Sequence, residues 1–127
     1  MTDDTPREYD REVTPLVRHR ARRRLGFDTD RGTVTRFVVQ LEYRHDDEWH
    51  PVVRYDHDGT DESEFSHDAT EEGLHIDIFR NGEKIATEYV APPLPAGLAL
   101  DRAEDHLSKN LERFIKRYQR WHGIRDQ

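Results

Sequence analysis

Asn81-Gly82 stands between two runs of alternating character, Leu74 to Arg80 and Glu83 to Val90. A two-residue type I′ turn needs positive φ at both central positions, and Asn-Gly meets that demand at little steric cost. With a side-chain period of two on either side, the chain must double back as an antiparallel hairpin. The expected register pairs Ile78 with Ile85, Ile76 with Thr87 and Leu74 with Tyr89 toward a core. On the opposite face His75 then lies across from Glu88, and Asp77 from Ala86.

The same period appears upstream. Phe37, Val39, Leu41 and Tyr43 alternate with polar positions, and Trp49, Pro51, Val53 and Tyr55 do so again after His45-Asp46-Asp47. Pairing Tyr43 with Trp49 collects the large residues on one face and sets Arg44 by Glu48 and Arg36 by Asp56 on the other. From about residue 98 to 122 the period becomes helical: Leu100, Ala103, Leu107, Leu111, Phe114, Tyr118 and Trp121 recur every three or four residues, and Gly123 supplies a stop. One apolar helix stripe and one apolar sheet face call for each other. The expected fold is therefore α+β, a four-stranded antiparallel sheet of two hairpins with the C-terminal helix on one face.

The chain's 127 residues suit a single domain. Residues 33–122 form its ββββα core, 57–72 an acidic loop, and 1–32 a basic helical N-terminal arm and linker. In the arm, Thr5-Pro6-Arg7-Glu8 suggests a short turn over 6–12, and Leu16, Val17, Ala21 and Leu25 suggest a helix over 15–25 ended by Gly26.

There is no cysteine, which excludes disulfides, thiolate nucleophiles and cysteine-ligated zinc. No stretch approaches a membrane span and no signal peptide precedes residue 10, so the expected compartment is the cytoplasm. Seventeen arginines but three lysines, with a formal net charge of −7, match a protein built for high salt, where a Debye length near 3 Å hides self-repulsion. The acids concentrate in residues 25–100, which carry a net −11.

Chemistry is expected on the sheet face away from the helix. That face should display Arg36, His50, Arg54, Asp56, His75, Asp77 and Glu88. A histidine beside carboxylates is an acid or base, and an arginine beside it holds phosphate. In this reading His75 is the acid or base, Asp77 or Glu88 orients it, and Arg54 neutralises phosphate beside Asp56. The alternative is a solvated face of cross-strand ion pairs. Asp56 to Asp61 begins like a calcium loop, but Asp61 and His67 stand where glycine and glutamate are required. His57, His67, His75 and Asp77 are zinc-capable types without a closed spacing, so neither a metal nor another cofactor is assigned. Arg18, Arg20, Arg22, Arg23 and Arg24 form a basic run suited to nucleic acid or to an acidic partner surface.

"VVRYDH" followed by "GLHIDIF", with four strands and then one helix, resembles the TumE-type toxins of toxin–antitoxin pairs and small haloarchaeal proteins. The resemblance covers about residues 36–120. It implies action on RNA, a cognate partner protein, and Arg54, Asp56, His75 and Asp77 as the matching positions. His57 replaces the asparagine usual in that motif, and the acidic insert before His75 is unusually long. The competing expectation is a non-enzymatic homodimeric interaction or regulatory module that uses the N-terminal segment or an exposed sheet edge.

Overall fold

A computed structural model describes residues 9–59 and 67–124. The chain runs β1 (Arg11–Val13), β2 (Leu16–Arg18), β3 (Ala21–Asp30), β4 (Thr33–His45), β5 (Glu48–Asp58), α1 (Ala69–Glu72), β6 (Leu74–Arg80), β7 (Glu83–Ala91) and α2 (Ala96–Trp121). The strands make one antiparallel sheet ordered β1-β3-β4-β5-β6-β7, with β2 also pairing β3. The architecture is α+β with a C-terminal helix, as expected, but the sheet has seven strands rather than four.

The additional strands come from the segment expected to be helical. Ala21, Arg23, Leu25 and Phe27 pair with Tyr43, Leu41, Val39 and Phe37, so a period of two, not 3.6, governs this stretch. Intervening Arg22 and Arg24 point to the other face. There their guanidiniums meet Glu42 (2.6 Å) and Glu12 (2.7 Å), partners far apart in sequence that no helical wheel displays. Arg23 turns toward the helix, where its head group reaches Glu104 at 3.6 Å while its stem covers apolar surface. The expected turn over 6–12 lies partly outside the described residues; Arg11 and Glu12 are in β1.

Both hairpins form, each with a bulge. Asp46 and Asp47 take positive φ (55° and 60°), closing β4–β5 as a two-residue turn with His45 opposite Glu48. The ladder slips at Leu41/Glu42, so Leu41 faces Val53 and Val39 faces Tyr55. Phe37, Val39, Leu41, Val53 and Tyr55 keep the expected core face, whereas Trp49 moves to the opposite one, 4.1 Å beneath Arg22. Asn81 and Gly82 also have positive φ, and Arg80 pairs with Glu83. A slip at Ile78/Phe79 then ejects Ile85, so Ile78 meets Ala86, Ile76 meets Glu88 and Asp77 meets Thr87. Ile85 and Tyr89, expected inward, are 49% and 63% exposed.

Helix α2 follows the expected stripe. Ala99, Leu100, Ala103, Leu107, Phe114, Ile115 and Tyr118 are buried against Phe37, Val39, Leu41, Tyr55 and Ile76. Its end is a Schellman motif: Ile124 N–H bonds the Gln119 carbonyl (2.8 Å) and Gly123 N–H the Arg120 carbonyl (3.4 Å). Two buried tyrosines bridge to histidines across the helix–sheet seam, Tyr55 to His106 (2.8 Å) and Tyr118 to His45 (2.7 Å).

Candidate functional site

Strands β5 and β6 are in register at only two pairs, Val53–Ile78 and Arg54–Asp77. β5 runs on to Asp58, and the segment entering β6 fills the space beside that free end. Asp58 N–H donates to the His67 carbonyl (2.9 Å), and Ala69 N–H donates to Nδ1 of buried His57 (2.9 Å). Asp68 caps α1 by accepting from Thr70 N–H (3.0 Å). His57 and Asp58 are thus strand residues and 69–72 is helix, where an acidic loop was expected over 57–72; residues 60–66 lie outside those described.

These anchors place the His67 ring between two carboxylates. Its Nε2 is 3.1 Å from Asp77 Oδ1 and its Nδ1 is 3.0 Å from Glu72 Oε1. Ionised carboxylates only accept, so both ring nitrogens carry hydrogen and His67 is an imidazolium. The bond to Asp77 is the largest reason its pKa rises to about 9; burial opposes the rise, and Asp56 and Glu72 add to it. Asp77 is 2% exposed. Burial penalises its charge, but the bonds from His67 and the Thr87 hydroxyl (2.7 Å) outweigh that and hold it below the usual carboxylate range.

Asp56 is one strand away, opposite Val38. Burial pushes its carboxyl up to about 6, with Asp77 adding to the rise while His67, Arg54 and Lys84 oppose it. Asp56 is partly exposed as a residue, yet its Oδ1 is sealed from solvent and has no hydrogen-bond partner among the described residues.

His75 stacks on His67, ring centroids 5.4 Å apart, and meets the Tyr89 ring edge-on at 5.8 Å. Its Nδ1 lies 3.2 Å from the Gly73 carbonyl. A carbonyl accepts only, so Nδ1 carries the hydrogen, and in the neutral ring Nε2 is a base. Gly73 has φ 88°, and a Cβ there would come within 2.5 Å of the Ala91 carbonyl oxygen. Only glycine fits that corner, and it aims the carbonyl that orients His75.

Arg54 pairs across from Asp77, as expected. Its Nε donates to Gln40 Oε1 (2.6 Å), Gln40 Nε2 donates to Glu42, and the guanidinium lies 4.9 Å over Phe79. Tyr9 stacks on Arg36 (3.8 Å) and against Gly26, where a Cβ would meet its ring at 2.7 Å. The Tyr9 ring therefore lies on this polar face.

Arg54, Asp56, His75 and Asp77 thus share one face and one region. Three expected neighbours do not join them. Glu88 sits opposite Ile76 because of the β7 bulge, and Asp77 orients His67 rather than His75. His50 faces the helix side, stacked 4.1 Å from His45. Arg36 lies opposite Asp58 rather than Asp56 and bonds Asp28 (2.8 Å).

The basic run is likewise scattered: Arg18 pairs Glu112, Arg22 pairs Glu42, Arg23 pairs Glu104 and Arg24 pairs Glu12. Arg20 is exposed beside Arg44 and His45 in a cleft on the far side. Among the described residues these five arginines do not share one stripe, because a strand sends alternate side chains to opposite faces.

The chain matches the model of a domain of unknown function, DUF7718, over residues 5–124. It belongs to the DUF7718 family. No curated protein and no solved structure matches it. For this DUF7718 chain the site must be read from its own geometry. His67, Glu72, Thr87 and Tyr89 are the positions that reading adds. In sequence His67 is only a ligand-capable residue in a loop, and a one-residue slip in the β6–β7 register moves Thr87 and Tyr89 from the expected core face to the polar one. Among the described residues no helix is long and apolar enough to cross a membrane.

Proposed function

We propose that the polar face cleaves RNA by acid–base chemistry, as a toxin-type ribonuclease working in a salt-rich cytoplasm with a cognate protein to restrain it. What supports the reading is one arrangement: His75 offers Nε2 as a base while stacked on a histidine held cationic by two carboxylates. Cleavage through a ribose 2′-hydroxyl needs a base for that proton and positive charge near the phosphorane oxygens. His75 takes the proton as the 2′-oxygen attacks phosphorus, and the P–O5′ bond breaks to leave a 2′,3′-cyclic phosphate. The departing 5′-oxygen takes a proton from water, and His67 and Arg54 supply the charge. Tyr89, exposed beside His75, gives a base a ring to stack on. Asp77 acts through His67, holding its proton and its orientation.

The test is RNA cleavage by the purified chain across a KCl series, with His75→Ala alongside. Loss of a single general base is expected to lower the rate by about 10²–10⁴-fold. Cleavage at an equal rate by a folded His75→Ala would remove the reading.

A second reading is favoured by the β7 edge. That strand is last in the sheet, and Glu83, Lys84, Ile85, Ala86 and Thr87 are exposed or nearly so. A second copy could extend the sheet there, giving a homodimeric interaction module. Light scattering on wild type and Ile85→Lys separates the two: a dimer that dissociates in the variant, with no cleavage by either, selects the module.

A further inference from the structure

We propose that Asp56, His67 and Asp77 form a binding site for one first-row divalent cation, Mn²⁺ or Zn²⁺, with Glu72 and Thr87 as its outer support. This goes beyond the RNA reading, since a cation can sit there whatever the substrate.

The donor atoms come from three elements that the fold brings together: β5, the segment before α1, and β6. One carboxylate oxygen from each aspartate and one nitrogen of His67 all lie within 4.8 Å of one another. Metal–ligand bonds of about 2.0–2.2 Å put donors roughly 3–4 Å apart, so modest inward rotation of the carboxylates completes the set. Two carboxylates and an imidazole suit manganese or zinc better than calcium, which prefers oxygen alone.

Proximity of acids would not be enough. The independent observation is Asp56: its Oδ1 is shut off from water and has no hydrogen-bond partner among the described residues, and the same carboxylate supplies the cluster's third donor. A buried unsatisfied carboxylate oxygen is costly, and a cation satisfies it directly. Lys84 does not do so. It reaches Asp77 Oδ2 only at 3.9 Å, beyond hydrogen-bond range, and its side chain is 36% exposed.

The surroundings also have the form that metal sites need. A ligating histidine ordinarily donates its other ring N–H to a carboxylate, and His67 Nδ1 already does so to Glu72 (3.0 Å). Asp77 is steadied by the Thr87 hydroxyl (2.7 Å). On binding, His67 Nε2 releases its proton to solvent and its lone pair goes to the metal, whose charge replaces that of the imidazolium beside His75; Nδ1–H goes on donating to Glu72. Three protein donors leave the remaining positions to water or substrate, the open arrangement of a working rather than a structural site.

The test titrates chelator-treated full-length protein with MnCl₂ in molar KCl, reading free Mn²⁺ by electron paramagnetic resonance, and repeats it with ZnCl₂ by calorimetry. One cation per chain is expected. Asp56→Asn and His67→Gln should each weaken binding at least tenfold, while an Asp46→Asn/Asp47→Asn control should not. Selective paramagnetic broadening of the His67 ring over His106 in the wild type gives a readout that needs no variant. Absence of binding at millimolar Mn²⁺ and Zn²⁺ would overturn the site. So would binding that Asp56→Asn and His67→Gln leave unchanged, since it would then belong to surface acids. RNA plays no part in this measurement, so its failure leaves the cleavage reading standing, and the converse also holds.

Discussion

At the residue scale, single atoms of the polar face carry obligations that can be tested one at a time. Glu42 is 8% exposed and accepts from both Arg22 (2.6 Å) and Gln40 (2.5 Å). Removing it strands a guanidinium and an amide in a poorly hydrated layer. Glu42→Ala should therefore cost about 3 kcal/mol, near the range for breaking one side of a buried pair, read as a lowered urea midpoint at constant slope. Gly73 is a second such position. Alanine there must hold a positive φ and push against the Ala91 carbonyl, so Gly73→Ala should lose about 1–3 kcal/mol. It should also misdirect His75, and with it any cleavage; a variant as stable as wild type would mean the corner relaxes freely.

At the scale of elements, α2 is the lid on the core, and its seam with the sheet sets how the fold responds to truncation and to acid. Leu107 is 2% exposed, and Leu107→Ala should cost about 2–5 kcal/mol by urea unfolding. The seam also holds His45 and His106. Burial holds both below the ordinary histidine pKa, with His50 acting further on His45 and Arg113 and Arg102 on His106. A base whose folded pKa is depressed takes its proton more readily when unfolded. The stability tied to keeping it neutral is complete above about pH 6.5 and falls as pH drops through that value toward the folded pKa. The contribution of these two rings should thus decline from pH 7 to 5, against the opposite pull of His67 and Asp56, whose raised folded pKa values favour the folded chain as pH falls. The stability of wild type relative to His106→Gln should therefore fall over that window. A wild-type minus His106→Gln difference in urea midpoint that stays constant over that window would show that His106 is protonated without penalty. Within the sheet, the bulges at Leu41/Glu42 and Ile78/Phe79 act as switches of face. Each shifts one strand by a residue and decides whether Trp49, Ile85 and Tyr89 face core or solvent.

For the molecule as a whole, charge is the dominant surface property. The chain carries a net −7 with acids concentrated in residues 25–100, and the arginines of β2 and β3 are drawn to Glu12, Glu42, Glu104 and Glu112. Those pairs neutralise part of the acidic middle, and the remainder repels itself at low ionic strength. Raising KCl from about 0.1 to 1 M shortens the screening length from roughly 10 to 3 Å, so the thermal midpoint should rise. A flat or falling midpoint would mean that ion pairs, not repulsion, govern the response.

Local pattern by itself determined the Asn81-Gly82 hairpin, the core faces of Phe37, Val39 and Leu41, the α2 stripe and its stop at Gly123. Each of these depends on residues a few positions apart, which is the range over which turn geometry and side-chain period act. It also brought Arg54 and Asp77 together, because consecutive hairpins pack side by side. Tertiary structure alone decided the rest. Residues 21–30 became a strand because β4 had an open edge and its Glu42 met Arg22, contacts that lie twenty residues apart. The exact pairing past each turn was set by bulges at Leu41/Glu42 and Ile78/Phe79, which the turn residues do not specify. The partnership of Asp56, His67 and Asp77 arose the same way: β5 and β6 part company, and a segment of no periodicity is held between them by backbone bonds to Asp58 and His57.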